Sequence, residues 1–274
     1  YSENFQQEYS YATNAHFYIP KSTSTYFEKV RVLAPEFESI LKQFKLFVED
    51  SSIDFELLQM SSSPVTIKDI PSLNKYKYIY LNQENAEIVA CSNILFSDQT
   101  HLSYVELFED KHYRTFFDLL INEEICFENF KEYQKPSIQY LIEMGFIIID
   151  KSDVIQVVNF EKILILKDLY ENEFASYYHY EENFREEAMK LNDEKTILFE
   201  CSLFSKQEQA YFNYFLNKSE FSNGQDLRNR YLHGTQANPS ETEIHESSYF
   251  IYLKLFFLTM LKMEDDLRIF SMKI

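Results

Sequence analysis

Glycine is nearly absent from this chain: Gly145, Gly224 and Gly234 are the only three in 274 residues. Glycine takes left-handed or closely approached backbone without strain, so a chain this poor in it cannot build the glycine-rich loops that cradle phosphates. P-loop and Rossmann nucleotide sites are thereby excluded, as are collagen-like and linker-like chains. The opposite excess lies in aromatics, with 21 Tyr and 26 Phe and a hydrophobic share of 45%. That composition is expected of a folded, helix-rich protein with a sizeable core. At about 150 residues per domain the length corresponds to two compact units or three.

Charge narrows the partners. With 44 acidic against 26 basic side chains the formal charge is -18. Such a chain repels polyanions at long range, which excludes a broad basic groove for DNA and adhesion to an anionic membrane. Contact with nucleic acid has to come from a local basic spot or from a second chain. Cys91, Cys126 and Cys201 are odd in number and far apart, which is neither a disulfide framework nor a zinc spacing. A reducing, cytoplasmic location is expected. The most apolar run, Tyr249 to Leu261, is interrupted by Lys254 and is shorter than the roughly 17 to 25 residues a bilayer span needs. The chain opens at Tyr1 rather than Met, as expected of a piece of a longer protein.

The fold expected is mainly α with a minor β part, in three segments. Residues 1–110 read as a small α/β region of unassigned role. After Pro35, the residues Phe37, Ile40, Leu41, Phe44, Phe47 and Val48 have helical spacing, and Ser61 to Pro64 form a break. Tyr76, Tyr78 and Tyr80 alternate as in a strand, with Ile88 and Val89 as a candidate second one. Residues 111–160 read as a helix over Phe116 to Ile121, a helix from about Pro136 that stops at Gly145, and a hairpin. In it Phe146 to Ile149 face Val154 to Val158 across Asp150 to Asp153. This order resembles a winged helix. Its reading helix offers mainly Lys135, Ser137 and Gln139 in an acidic setting, so a structural or protein-contact role is expected in preference to DNA reading. Residues 161–274 read as wholly helical, an up-and-down bundle of four or five helices. Its signals include a capping box from Ser205 to Glu208, a second from Ser240 to Glu243, and a final helix, Phe250 to Met263, apolar nearly all round. No repeat with a period of 20 to 50 residues is visible.

Chemistry concentrates between the last two helices. Gly224 and Gly234 bracket Gln225, Asp226, Leu227, Arg228, Asn229, Arg230, Tyr231, Leu232 and His233. Asn223 and Gly224 make a turn, and Gly234 suits the left-handed residue that closes a helix. On that short helix Arg228 and His233 are about 140° and about 7.5 Å apart, while Asn229 and His233, at i and i+4, can touch. A guanidinium, a ring that titrates near neutrality and a positioning amide suit cleavage of RNA by its own 2'-OH. The imidazole moves the proton, and the guanidinium holds the charge that builds on the phosphorane oxygens. One imidazole serves as base or acid. A second copy of the motif across a dimer interface would complete the site and double its positive charge.

Arg228, polar Asn229, three variable residues and then His233, in a C-terminal helical bundle over about residues 161–274, resemble the motif of the HEPN superfamily. The resemblance implies an α-helical, metal-independent endoribonuclease that needs no cofactor and acts as a homodimer, with motifs paired at the interface. It implies a toxin or antiphage abortive-infection effector, with RNA as partner and a regulatory protein as a further one. Carried over, Arg228 and His233 are the catalytic pair and Asn229 the polar residue that follows; Arg230 and Tyr231, on variable positions, are the expected RNA contacts. No membrane or DNA partner and no metal ligand set is expected. Two rivals stand beside this reading. One is a non-catalytic helical module that only dimerises or docks to a protein, which a charge at Phe256 or Phe257 would disrupt; the other is a winged-helix regulator using Lys135 and Gln139 on DNA. For Arg228 the alternative is an ordinary ion pair with Asp226 or Glu220, and for His233 a helix C-terminal cap. His245, with Glu243 and Glu246 nearby, is a minor metal candidate that would need ligands from elsewhere.

Overall fold

A computed structural model describes residues 2–9, 11, 15–54, 56, 58, 65–218, 220–232, 234 and 236–272. His233 and the Ser61 to Pro64 break lie outside the described residues. The described residues are mainly helical, with two small antiparallel sheets and a long C-terminal helix. Its chain forms two compact units, one made of residues 1–77 and 201–274 and the other of residues 78–200. The expected divisions at 110 and 160 both fall inside the second unit.

The first unit holds the helices α1 (Tyr26–Asp50), α7 (Lys206–Leu216), α8 (Leu227–Leu232) and α9 (Thr242–Ser271). Thr25 and Glu28 form a reciprocal capping box that starts α1 ten residues ahead of Pro35. Proline inside a helix lacks the N–H that would bond the carbonyl four residues back. Here the apolar face continues through it, and Val30, Leu33, Phe37, Ile40, Leu41 and Phe44 are all buried. The expected Ser205–Glu208 box is present at the start of α7. The expected Ser240–Glu243 box is not: the cap of α9 is Glu241, without a side-chain hydrogen bond, and the Ser240 hydroxyl donates instead to Asn238 Oδ1 (2.9 Å). Helix α1 packs on α9 and α8, and α8 packs on α7. Phe37 joins them, stacked on Phe212 and edge-on to Phe256. The bundle therefore takes its central helix from the N-terminal part of the chain, while residues 161–200, expected within it, belong to the second unit.

A buried ion pair fixes the far end of α9. Asp266 and Lys77 are both fully buried, with Lys77 Nζ donating to Asp266 Oδ1 at 2.7 Å. The same oxygen accepts from Ser72 Oγ (2.5 Å) and Asn74 Nδ2 (3.1 Å), and Oδ2 accepts from the Leu73 N–H (2.8 Å). Four donors thus replace the water this carboxylate gives up on burial. Beside the pair, the Ser72 N–H donates to the Cys201 carbonyl and the Leu203 N–H to the Ile70 carbonyl, both at 2.8 Å.

The second unit holds α2 (Ala86–Phe96), α3 (Phe116–Asn122), α4 (Lys135–Glu143), α5 (Phe160–Asn172) and α6 (Glu182–Asp193). Its strands are β1 (Tyr78–Leu81), β2 (Ile147–Ile149), β3 (Ile155–Val157), β4 (Ala175–Ser176) and β5 (Ile197–Glu200). Three expectations change here. Ile88 and Val89 lie in α2, not a strand, because Asn85 caps the Ile88 N–H and starts a helix. The alternation from Tyr76 begins as a strand only at Tyr78, since Tyr76 has a left-handed φ of 59°. The region after Glu161 is not wholly helical: α5 ends at Asn172, and β4 and β5 follow. The Gly145 stop and the β2–β3 hairpin are as expected.

An internal repeat with an offset of 50 residues runs through this unit, contrary to the expectation of none. Helix α3 ends at Asn122 and α5 at Asn172; three-residue 3-10 turns follow at Phe127–Asn129 and Tyr177–His179. Next come α4 and α6, then β2 and β5. The helix ends agree bond for bond. Phe146 N–H donates to Leu141 O and Thr196 N–H to Leu191 O; Gly145 N–H donates to Ile142 O and Lys195 N–H to Asn192 O, all at 2.9 Å. This is the Schellman pattern, which needs a left-handed residue, and the two residues there have φ of 71° (Gly145) and 57° (Lys195). The sheets agree as well. Cys126 bridges Val154 of the loop into β3, and the Ile155 N–H donates to the Ile125 carbonyl (2.8 Å), so β3 lies between residues 125–126 and β2. In the second copy β1 lies between β4 and β5. The middle strand of the first copy follows it in the chain, whereas that of the second precedes both copies.

Removing one partner of a buried pair leaves an uncompensated charge, so Asp266→Ala is expected to lower the unfolding free energy by about 3–5 kcal/mol in urea titration, and Lys77→Met with Asp266→Leu by less. The repeat predicts opposite effects at equivalent positions: Gly145→Ala should cost about 1 kcal/mol, and Lys195→Gly should stabilise by a comparable amount, both read from denaturant midpoints.

Candidate active site on helix α8

Gly224 sets the approach to α8. Its Cα sits among the carbonyls of Asn217, Phe221 and Tyr214, and a Cβ there would come within 2.9 to 3.0 Å of all three. Asp226 follows with a left-handed φ of 56° and opens the helix: its carbonyl accepts from the Arg230 N–H (3.1 Å) and its Oδ1 from Asn229 Nδ2 (2.7 Å). Leu227 and Tyr231, one turn apart, face inward and anchor the helix. Gly234 has a φ of 78°.

Arg228 points across to α1, where its Nε donates to Glu38 Oε1. Nη1 lies 3.4 Å from Asn229 Oδ1, a weak second bond. A guanidinium has five N–H donors, and these bonds engage two. The expected pairing with Asp226 or Glu220 is replaced: Asp226 serves Asn229, and Glu220 Oε1 accepts from Asn213 Nδ2 (2.7 Å). The Arg228 side chain is 20% exposed and that of Glu38 17%. Both line a cleft with Phe37, Leu41, Asn217 and Tyr252. Burial pushes the Tyr252 phenol well above its ordinary pKa, and the Glu38 charge pushes it the same way against a smaller opposing effect of Arg228. The cleft therefore holds a cation, a carboxylate and a neutral phenol.

Tyr231, expected on an RNA surface, is 6% exposed. Its hydroxyl is hydrogen-bonded to His245 Nδ1 at 2.7 Å, and burial raises its pKa. A backbone carbonyl only accepts, so His245 Nε2 donates to Asn238 O (3.0 Å). His245 is fully buried and edge-on to Phe27. Both of its nitrogens are thus engaged, one by Tyr231 of α8 and the other by the loop ahead of α9, which replaces the metal reading. Among the described residues no group of three or more His, Cys, Asp or Glu is placed to hold a metal ion. Arg230 is half-buried, and the position of His233 relative to Arg228 lies outside what is described. No described helix is long and apolar enough to cross a membrane.

The structure thus brings Arg228 and Asn229 together, takes Tyr231 inward, and adds Glu38, Tyr252 and His245. Glu38 is 190 positions from Arg228 and carries no local signal in the sequence. None of the protein-family models, curated proteins or solved structures compared with the chain matches it.

Losing the Tyr231 hydroxyl would strand a buried ring nitrogen, so Tyr231→Phe is expected to cost about 1–3 kcal/mol of stability by thermal or urea unfolding.

Proposed function

We propose that the protein is a metal-independent endoribonuclease of the HEPN type, with Arg228, Asn229 and His233 as its working motif. The observation that carries the reading is Arg228: the motif's cation sits in a cleft, fixed through one nitrogen by Glu38, with further N–H donors for a phosphate. His233 takes the proton of the RNA 2'-OH as the 2' oxygen bonds to phosphorus; the bond to the 5' oxygen then breaks, and that oxygen is protonated by an imidazolium. The products are a 2',3'-cyclic phosphate and a 5'-OH. Arg228 stabilises the charge on the non-bridging oxygens. Glu38 is a positioning residue that holds the guanidinium plane at the cost of part of its net charge. Tyr252, held neutral, offers a donor and no negative charge to an incoming phosphate. Asn229, tied to Asp226, is fixed beside the cation, and Arg230 is the remaining RNA contact. The motif of a second copy would supply the other half of the acid–base pair, and a toxin or antiphage role follows from the resemblance.

The segment of residues 111–160 has the element order of a winged helix, which we propose makes protein contacts and does not read DNA. Supporting this, Lys135 Nζ is engaged by Glu132 (2.9 Å) and Glu128 (3.4 Å) and lies over the Phe127 ring. The equivalent helix α6 carries Glu182, Glu186 and Glu187.

In an RNA digest with EDTA present, wild-type protein should yield 2',3'-cyclic phosphate ends, and His233→Ala should lose activity by about 10²–10⁴-fold with unchanged circular dichroism. No cleavage by the wild type, or cleavage by His233→Ala at the wild-type rate, would end the proposal.

A further inference from the structure

Helix α1 separates its charges as well as its apolar and polar residues. At about 100° per residue, Arg31, Lys42, Lys45 and Glu49 all fall within about 40° of Glu38, on the flank of α1 that Arg228 reaches. The other carboxylates of the helix lie elsewhere: Glu28, Asp50 and Glu36 are about 80°, about 120° and about 160° round from Glu38. Any helix has such a flank; the charge on this one distinguishes it. Arg31, Lys42, Lys45 and the guanidinium of Arg228 share it with Glu38 and Glu49 alone from α1, in a chain whose acidic residues outnumber the basic ones by 44 to 26.

The carboxylates hold these cations loosely. Glu38 is taken by Arg228. Glu49 meets Lys45 Nζ at 3.8 Å, with the two side chains 48% and 40% exposed, which is a weak surface pair. Arg31 is exposed, with its guanidinium over the Phe27 ring, 5.6 Å from the centroid, and among the described residues no carboxylate is in ion-pair contact with it. The acidic residues nearest to it in sequence are engaged by neutral donors: Glu28 accepts from the Thr25 N–H (2.8 Å) and Glu36 from the Tyr18 N–H (3.1 Å).

The row is ordered about the cleft. Along the helix axis Arg31 lies about 10.5 Å to one side of Glu38, and Lys42 and Lys45 about 6 Å and about 10.5 Å to the other. Arg228 therefore stands near the middle of a cationic line about 21 Å long. Phe27, beneath Arg31, is also edge-on to His245, which bonds Tyr231 in the last turn of α8. The Arg31 end of the line thus lies toward the end of α8 that His233 follows in the chain. One line of cations suits one phosphate backbone. An A-form duplex is instead gripped across its minor groove, through both strands.

We infer that this flank of α1 is a backbone rail for single-stranded RNA, with Arg31 holding phosphate on one side of the scissile linkage and Lys42 and Lys45 holding it on the other. The inference rests on the cleavage reading for the place of the cut, and it names the substrate as an unpaired strand. It also gives a chain of net charge -18 its local basic spot, confined to one flank of one helix.

Fluorescence anisotropy with a 2'-O-methyl RNA oligonucleotide, which has no 2'-OH to attack with, reads binding apart from cleavage. Wild type should bind it more tightly than a duplex of the same sequence. Arg31→Ala and Lys45→Ala should each lower the slope of log K against log[salt] by about 0.7, and a triple variant that adds Lys42→Ala should lose about tenfold in affinity or more, with unchanged circular dichroism. Arg31→Lys, which keeps the charge, should keep most of the affinity, and Arg185→Ala in the second unit should match wild type. On ordinary RNA the triple variant should raise KM and leave kcat within about twofold. No binding by the wild type, equal binding of the duplex, wild-type affinity and slope in the triple variant, or a fall in kcat at unchanged KM would overturn the inference. Cleavage by the wild type alongside any of these would leave the nuclease reading standing. Binding that is lost in the triple variant, with no cleavage of ordinary RNA by the wild type, would remove the nuclease reading alone.

Discussion

The Lys77–Asp266 pair is the constraint on which the first unit depends. The chain leaves that unit after Lys77 and re-enters at Cys201, so 123 residues are spliced between two points of one bundle. Their closure has to be held by something stronger than a loop. It is held by a carboxylate on the long final helix that takes donors from Ser72, Leu73, Asn74 and Lys77, next to the backbone bonds tying residues 70 and 72 to 203 and 201. An apolar pair could match the stability of a buried ion pair. It could not so readily specify which residue of a 30-residue helix meets residues 72–77, since one methylene surface resembles the next and four converging donors do not.

Local signals are legible in the sequence. The Ser205–Glu208 box, the Gly145 stop and the β2–β3 hairpin each rest on bonds between residues close in the chain, so their residue types announce them. Non-local features were not legible. The helical spacing is visible only after Pro35, because proline disfavours helix interiors, whereas the Thr25 box and six buried apolar residues carry α1 through it. Ile88 and Val89 have the branching of strand residues, and the Asn85 cap decided otherwise. The 50-residue repeat is faint in the sequence because few positions keep their identity: Asp118 and Asp168, Leu119 and Leu169, Asn122 and Asn172, Glu123 and Glu173, Glu132 and Glu182, Leu141 and Leu191, Ile147 and Ile197. What is conserved between the copies is a set of backbone bonds, which lysine at 195 satisfies in place of glycine at some cost in strain.

At the candidate site the motif itself was legible and its surroundings were not. A cation on a protein of net charge -18 attracts a carboxylate from its own chain before any ligand arrives, and Glu38 is that carboxylate. The same reasoning applies to Lys135 in the second unit, where Glu128 and Glu132 converge on the one cation that a DNA-reading helix there would have used. Basic side chains in such a chain are held by default, so those with spare donors identify functional positions better than basic residues as a class.

The borrowed strand β1 has a consequence for the order in which the second unit forms during synthesis. The first copy's sheet closes through neighbours, since β3 follows β2 after a five-residue connection. The second copy's middle strand is among the first parts of the unit to leave the ribosome, yet its partner β5 is among the last, more than a hundred residues later. Long-range pairing of that kind closes slowly, and until it does both edges of β1 are unpaired, open to whatever extended segment comes by. A nascent chain stalled between the two copies would carry a finished first half and one exposed, very apolar strand, the condition that chaperones recognise.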